Sequence, residues 1–283
     1  MNGLSIVDSH VHLWNPAQFR YPWLDALPAL NRAWLPADFA AASATANVGK
    51  MIFVECGCKP AQSLAEVIWA SDLAKAEPRL KGIVAHAALE KGGAVQADLA
   101  VLSGWPLVKG IRRNLQSESG AAFLLRPEFV AGIKQLAGFG FTFDLCIRHE
   151  QLRAAAGLVA RAPEVTFVLD HFGKPDVRGK NREPWATDLN TLAALPNVVC
   201  KLSGLATEAD WSHWRPDDLK FYFERALECF GFDRVLFGGD WPVATLATGY
   251  QRWVETVQES LPSASAADRI KLFQTNAERI YRV

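Results

Sequence analysis

The chain has 283 residues, half of them apolar and 21% charged, and its 30 basic side chains balance its 30 acidic ones. This length suits one α/β domain over residues 1–283, since single α/β barrels reach roughly 250 residues, and the balanced charge excludes a field that would recruit nucleic acid. The five cysteines, Cys56, Cys58, Cys146, Cys200 and Cys229, show no repeated CxxC spacing, which excludes a disulfide framework and a zinc-finger pattern.

The N-terminal MNGLSIVDSH lacks a secretion signal's basic and apolar regions, and no stretch approaches the ~20 apolar residues that span a bilayer. A cytoplasmic protein without membrane association is expected, as a monomer or small homo-oligomer. Eight short apolar runs then follow in chain order: 4–10, 50–56, 80–87, 107–113, 141–147, 165–171, 197–204 and 234–240. Between them lie stretches of helical periodicity such as 63–77 and 150–162, with Pro60, Pro163 and Pro196 at the expected boundaries. Strand and helix alternating eight times predict a single (β/α)8 TIM barrel. Residues 14–47, rich in Pro, Trp and Leu, are too apolar for a solvated linker and predict a long packed excursion after strand one.

In such a barrel, chemistry gathers where the strands end. The ends here carry Asp8, His10 and His12 on strand one, Glu55 on two, His86 on three and Lys109, Arg112 and Arg113 on four. Asp144, Cys146 and Arg148 follow on five, Asp170 and His171 on six, Lys201 and Ser203 on seven, and Asp240 on eight. Period-two alternation aims His10 and His12 at one face, and strand eight closes beside strand one, which brings Asp240 to them. Read structurally, Asp240 would instead cap the following helix, Asp170 would brace a loop and Lys201 would form an ion pair at the barrel bottom. Alternation lets only one of Arg112 and Arg113 face the mouth, and the sequence does not say which.

HVHLWNP at 10–16, LDHFGKP at 169–175, CKLSGL at 200–205 and LFGGDWPV at 236–243 together resemble the amidohydrolase superfamily, in particular its sugar-lactone and pyrone-dicarboxylate lactonase branch. Within that branch the chain is most similar to lactonases of the L-fucono- or L-rhamnono-lactone type. The resemblance implies a (β/α)8 barrel and a carboxylate on strand eight, Asp240, as general base toward water. Metal-dependent members add a histidine on strand five, where this chain has Asp144 and Cys146; the departure argues against a binuclear centre. One divalent ion, zinc, on His10, His12 and Asp240 is allowed but not required for catalysis.

The expected activity is that of a lactone hydrolase in sugar catabolism, opening an aldonolactone to its acid. Hydrolysis needs a deprotonated water, an oxyanion stabiliser and a proton for the ring alkoxide. Asp240 supplies the first of these, and His171 or Arg112 the second. Trp14, Trp23 and Trp241 are candidates to stack on a sugar ring, with Glu55, His86 and Lys201 bonding its hydroxyls. A pyrone dicarboxylate would call for several inward arginines. Two other readings remain: a zinc-dependent decarboxylase of an aromatic or unsaturated acid in the same superfamily, and a non-catalytic barrel that binds a sugar acid.

Overall fold

Runs rich in Val, Ile and Phe form extended structure because their branched and aromatic side chains fit a pleated surface that is buried on both faces. In the computed structural model, which describes residues 4–118 and 120–283, these runs become β1 (Ile6–Val11), β2 (Val48–Val54), β3 (Leu80–His86), β4 (Val108–Arg112), β5 (Thr142–Leu145), β6 (Phe167–Leu169), β7 (Val198–Leu202) and β8 (Val235–Phe237). They pair in parallel in the order β1 to β8, with helices between them, as the (β/α)8 expectation requires. The helix expected over 63–77 spans Ser63–Ala76; that expected over 150–162 spans Leu152–Arg161, after a 3-10 turn at His149–Gln151. Among the described residues, no helix is long and apolar enough to cross a membrane.

Val7, Ile52, Val54, Val84, Val168, Val199 and Leu236 form a buried cluster with Ala277 and Tyr281 of the last helix, Asn276–Tyr281. Strand periodicity puts this cluster inside the barrel, where the last helix closes it from below. It also sends the residue two places on, His86, Asp170 or Lys201, inward at the next level up. β1 breaks the parity, because Val7 and His10 are three residues apart and yet both face inward. A register shift between Asp8 and Val11 accounts for it: the irregularity turns the strand so that the histidine pair, and not the residue before it, meets the interior.

The seam between β8 and β1 closes beyond the end of the short β8. The Asp240 amide donates to the His10 carbonyl (2.8 Å), the His12 amide donates to the Trp241 carbonyl (2.7 Å), and Ser9 Oγ donates to the Phe237 carbonyl (2.6 Å). The excursion after β1 is packed, as its composition predicts. Trp14 and Trp34 exchange two backbone hydrogen bonds (3.0 and 2.9 Å), and Phe39 of the helix Pro36–Ala42 lies edge-on to Trp241 and Tyr250.

Asp8 stitches this seam. Its carboxylate accepts from the amides of His10 (2.9 Å) and Gly239 (2.8 Å) and from the Tyr250 hydroxyl (2.8 Å). Burial pushes its pKa up to about 6, against the pull of those donors. Because this exceeds the unfolded value, the folded chain binds more protons between about pH 4 and 6, and Asp8's contribution to stability declines as pH rises through that window. Compared with Asp8→Asn in urea titrations, the native protein is expected to lose about 2 kcal/mol of stability from pH 4 to 7. Parallel curves for the two proteins would contradict this.

Candidate active site

The inward residues above the apolar layer meet as one group. His10 Nε2 and His12 Nε2 lie 3.0 Å apart. Asp240 Oδ1 lies 3.7 Å from His10 Nε2, 3.6 Å from His12 Nε2 and 3.9 Å from His171 Nε2. His12 Nδ1 bonds to the Val54 carbonyl (2.8 Å), which as an acceptor makes that nitrogen the donor and leaves Nε2 its lone pair. His171 Nδ1 pairs with Ser203 Oγ (2.9 Å). Two overlapping groups could hold a divalent ion of the zinc kind, His10 with His12 and Asp240, and His10 with Asp170 and His171.

Two loops hold this geometry in left-handed backbone, an unfavourable conformation for non-glycine residues. Asp240 has φ 51°, and His171, Phe172 and Lys174 have φ 54°, 57° and 50°. Asp240 does not cap a helix with its side chain. Only its carbonyl accepts from the Ala244 amide (2.8 Å), and the carboxylate turns to the histidines. Burial alone would raise its pKa, but the imidazoles of His171, His12 and His10 outweigh that and hold the carboxyl well below its usual range. Burial lowers His171 to about 4, so its ring is neutral at neutral pH.

Of the two arginines on β4, Arg112 faces inward. Its Nε donates to Glu55 Oε1 (2.7 Å), Nη2 donates to the Glu55 carbonyl (2.5 Å), and Nη1 lies 3.4 Å from Asp170 Oδ2 and 3.5 Å from His10 Nε2. Arg113 points away, to Glu90 and Glu118. Lys201 is fully buried and so does not reach the open mouth; it lies beneath His10, ion-paired with Asp144 and Asp170. Trp14 and Trp241 are also buried, the first donating its indole N–H to the Leu30 and Arg32 carbonyls and the second edge-on to Trp34. Neither ring has a free face, and of the three tryptophans only Trp23, half-buried with its N–H on the Cys56 carbonyl (2.7 Å), retains exposed surface. His86 lines a groove of about 420 Å³ with Pro60, Leu64 and Val101, to which none of the clustered histidines contributes. His213 is exposed and pairs with Asp210.

The sequence reading singled out neither Asp170 nor Asp144 as a site residue, although the parity that points Lys201 inward applies to both. Tyr281, whose hydroxyl donates to Asp144 Oδ2 (2.7 Å), carries no sequence signal at all.

Gly204 admits this arrangement for two reasons. It has φ 61°, and a Cβ there would lie 2.6 Å from His171 Nδ1 and 2.8 Å from Asp240 Oδ2. Gly204→Ala is therefore expected to cost about 2–4 kcal/mol by denaturant titration, combining the left-handed penalty with overpacking. Unchanged stability would mean that the loop yields freely.

Residues 7–283 match the amidohydrolase family. The chain is 33% identical over 287 residues to an L-fucono-1,5-lactonase from Burkholderia multivorans, covering 97% of this chain and 95% of that one. Its fold superimposes on a crystal structure of an amidohydrolase from Burkholderia multivorans with bound zinc, with TM-score 0.87, 31% identity and 99% of each chain covered. Another crystal form of an amidohydrolase from that organism, with bound HEPES, gives TM-score 0.88 at 32% identity, again over 99% of each chain. From its strand-end histidines to the aspartate beyond β8, the chain belongs to the amidohydrolase family.

Proposed function

We propose that the protein hydrolyses an aldonolactone of the L-fuconolactone type, opening the ring to the aldonic acid with water activated by Asp240. The observation that carries this reading is the placement of one ionised carboxylate, Asp240, against three imidazoles and within the same cluster as a fixed guanidinium, Arg112. Relatives that are L-fucono-1,5-lactonases or an L-rhamnono-gamma-lactonase support lactone hydrolysis as the reaction class. The outward turn of Arg113 supports a sugar lactone over a dicarboxylate, since a single inward arginine meets one carbonyl and not two carboxylates.

Asp240 takes a proton from water as the oxygen attacks the lactone carbonyl carbon. Arg112, pinned by Glu55, stabilises the oxyanion that develops, and neutral His171 orients the water. Collapse of the tetrahedral intermediate breaks the ring C–O bond, and the proton held on Asp240 passes to the leaving alkoxide. A divalent ion such as zinc would be held by His10, His12 and Asp240 and would supply Lewis-acid polarisation of the carbonyl. Trp23 is the remaining candidate to stack on the sugar ring.

A panel of C5 and C6 aldonolactones in a pH-indicator assay tests the reading. Asp240→Asn, which keeps a residue tolerant of left-handed backbone, is expected to lower kcat by about 10²–10⁴. Hydrolysis that survives this substitution undiminished would remove Asp240 from the mechanism. Failure of every lactone in the panel would favour the sugar-acid-binding barrel. Arg112→Lys retains charge but loses the fork, and a fall of about 10–100-fold in kcat is expected, persisting in the presence of chelator. Complete loss of native activity on chelation, restored by zinc, would transfer the stabilising role to the ion.

A further inference from the structure

Beneath the histidines, a chain of buried polar groups leads from the last helix to the site. Tyr281 Oη donates to Asp144 Oδ2 (2.7 Å), and Lys201 Nζ donates to the same oxygen (2.5 Å). Lys201 Nζ also stands 3.2 Å from His10 Nδ1 and 3.1 Å from Asp170 Oδ1, while Asp170 Oδ2 lies 3.4 Å from Arg112 Nη1. Asp144, Asp170 and Lys201 are fully buried, as is the Tyr281 ring.

An ammonium has three N–H donors, and here two carboxylate oxygens and one imidazole nitrogen surround one. They are not equally served. Asp170 Oδ1 has no aligned hydrogen bond, although both Lys201 and His10 lie close to it. The position of Lys201 therefore decides how charge is shared between Asp144 below and the His10–Asp170 pair above. That position is set by Asp144, which is itself held by Tyr281 and more weakly by Thr142 (3.4 Å). Without the phenol, Asp144 would lose a donor in a dry interior and draw Lys201 down, away from His10 and Asp170.

We propose that Tyr281 is a positioning residue for the active site, acting through Asp144 and Lys201 to fix the orientation of His10 and of the Asp170 carboxylate that braces Arg112. It touches no substrate. The inference rests on the reading of the site as a lactone-opening centre only for its kinetic consequence; the orientation of His10 can be measured without a substrate.

Tyr281→Phe keeps the ring and removes the hydroxyl. It is expected to lower kcat about tenfold with KM within twofold, and to shift the imidazole nitrogen resonances of His10 in ¹⁵N-histidine-labelled protein, assigned by their loss in His10→Gln. Asp144→Asn, which weakens the hold on Lys201 from the other side, should move the same resonances. Circular dichroism and thermal melting establish that each variant is folded. Unmoved His10 resonances in folded Tyr281→Phe would overturn the proposal, and so would a fall in thermal stability with kcat unchanged. Shifted resonances in a protein that opens no lactone, even in its native form, would sustain the positioning role while the proposed reaction failed.

Discussion

A lysine ammonium removed from water must find a partner for every N–H, and Lys201 is removed completely. Burial works against its charge, but Asp144 and Asp170 outweigh that and hold it protonated. Much of the barrel interior follows from this requirement. Two carboxylates must flank Lys201; the second must in turn be shared with Arg112, and Arg112 must be shared with Glu55. Buried ion pairs of this kind are poor sources of net stability, because desolvation consumes most of the Coulombic gain. What the network provides is fixed direction for a guanidinium and an imidazole, which in the proposed reaction would not have to reorganise as charge develops.

The loops above the network are shaped by the same demand for direction. Asp240 and His171 both accept left-handed backbone, and Gly204 leaves the gap into which their side chains turn. A neutral His171 and an ionised Asp240 stand side by side because burial disfavours charge on the imidazole, while the surrounding imidazoles favour charge on the carboxylate. Both groups are shifted downward together, so at neutral pH the carboxylate is ionised and the imidazole keeps a lone pair.

The architecture was legible in the sequence because each strand falls within a short apolar run and helices such as Leu152–Arg161 carry one apolar face, although Ser63–Ala76 segregates its apolar residues only weakly. The places of Lys201 and Asp170 at their strand ends were legible too, although their direction was not, because buried apolar residues of both parities precede them. Which arginine of GIRRN faces inward was not, since parity needs an anchor and Gly110 offers no side chain to reveal one. The tryptophans misled for a related reason. An indole is large enough to line a sugar site or to fill a core, and for Trp14 and Trp241 packing against the excursion decides the matter. Tyr281 lay beyond sequence reasoning because its partner, Asp144, is 137 residues away and joined to it only by the closing of the barrel floor.

The seam between the last strand and the first has a bearing on how the chain acquires its function. The backbone bonds that join residues 10 and 12 to residues 240 and 241 are the same bonds that bring the histidine pair to its carboxylate. Ring closure and assembly of the histidine–aspartate cluster are therefore a single event, joining segments about 230 residues apart, and so among the slowest contacts to form. A folding intermediate with the first seven strands in place would contain most of the barrel and its histidines, without the carboxylate of Asp240 that they surround. Catalytic competence thus reports the completed ring.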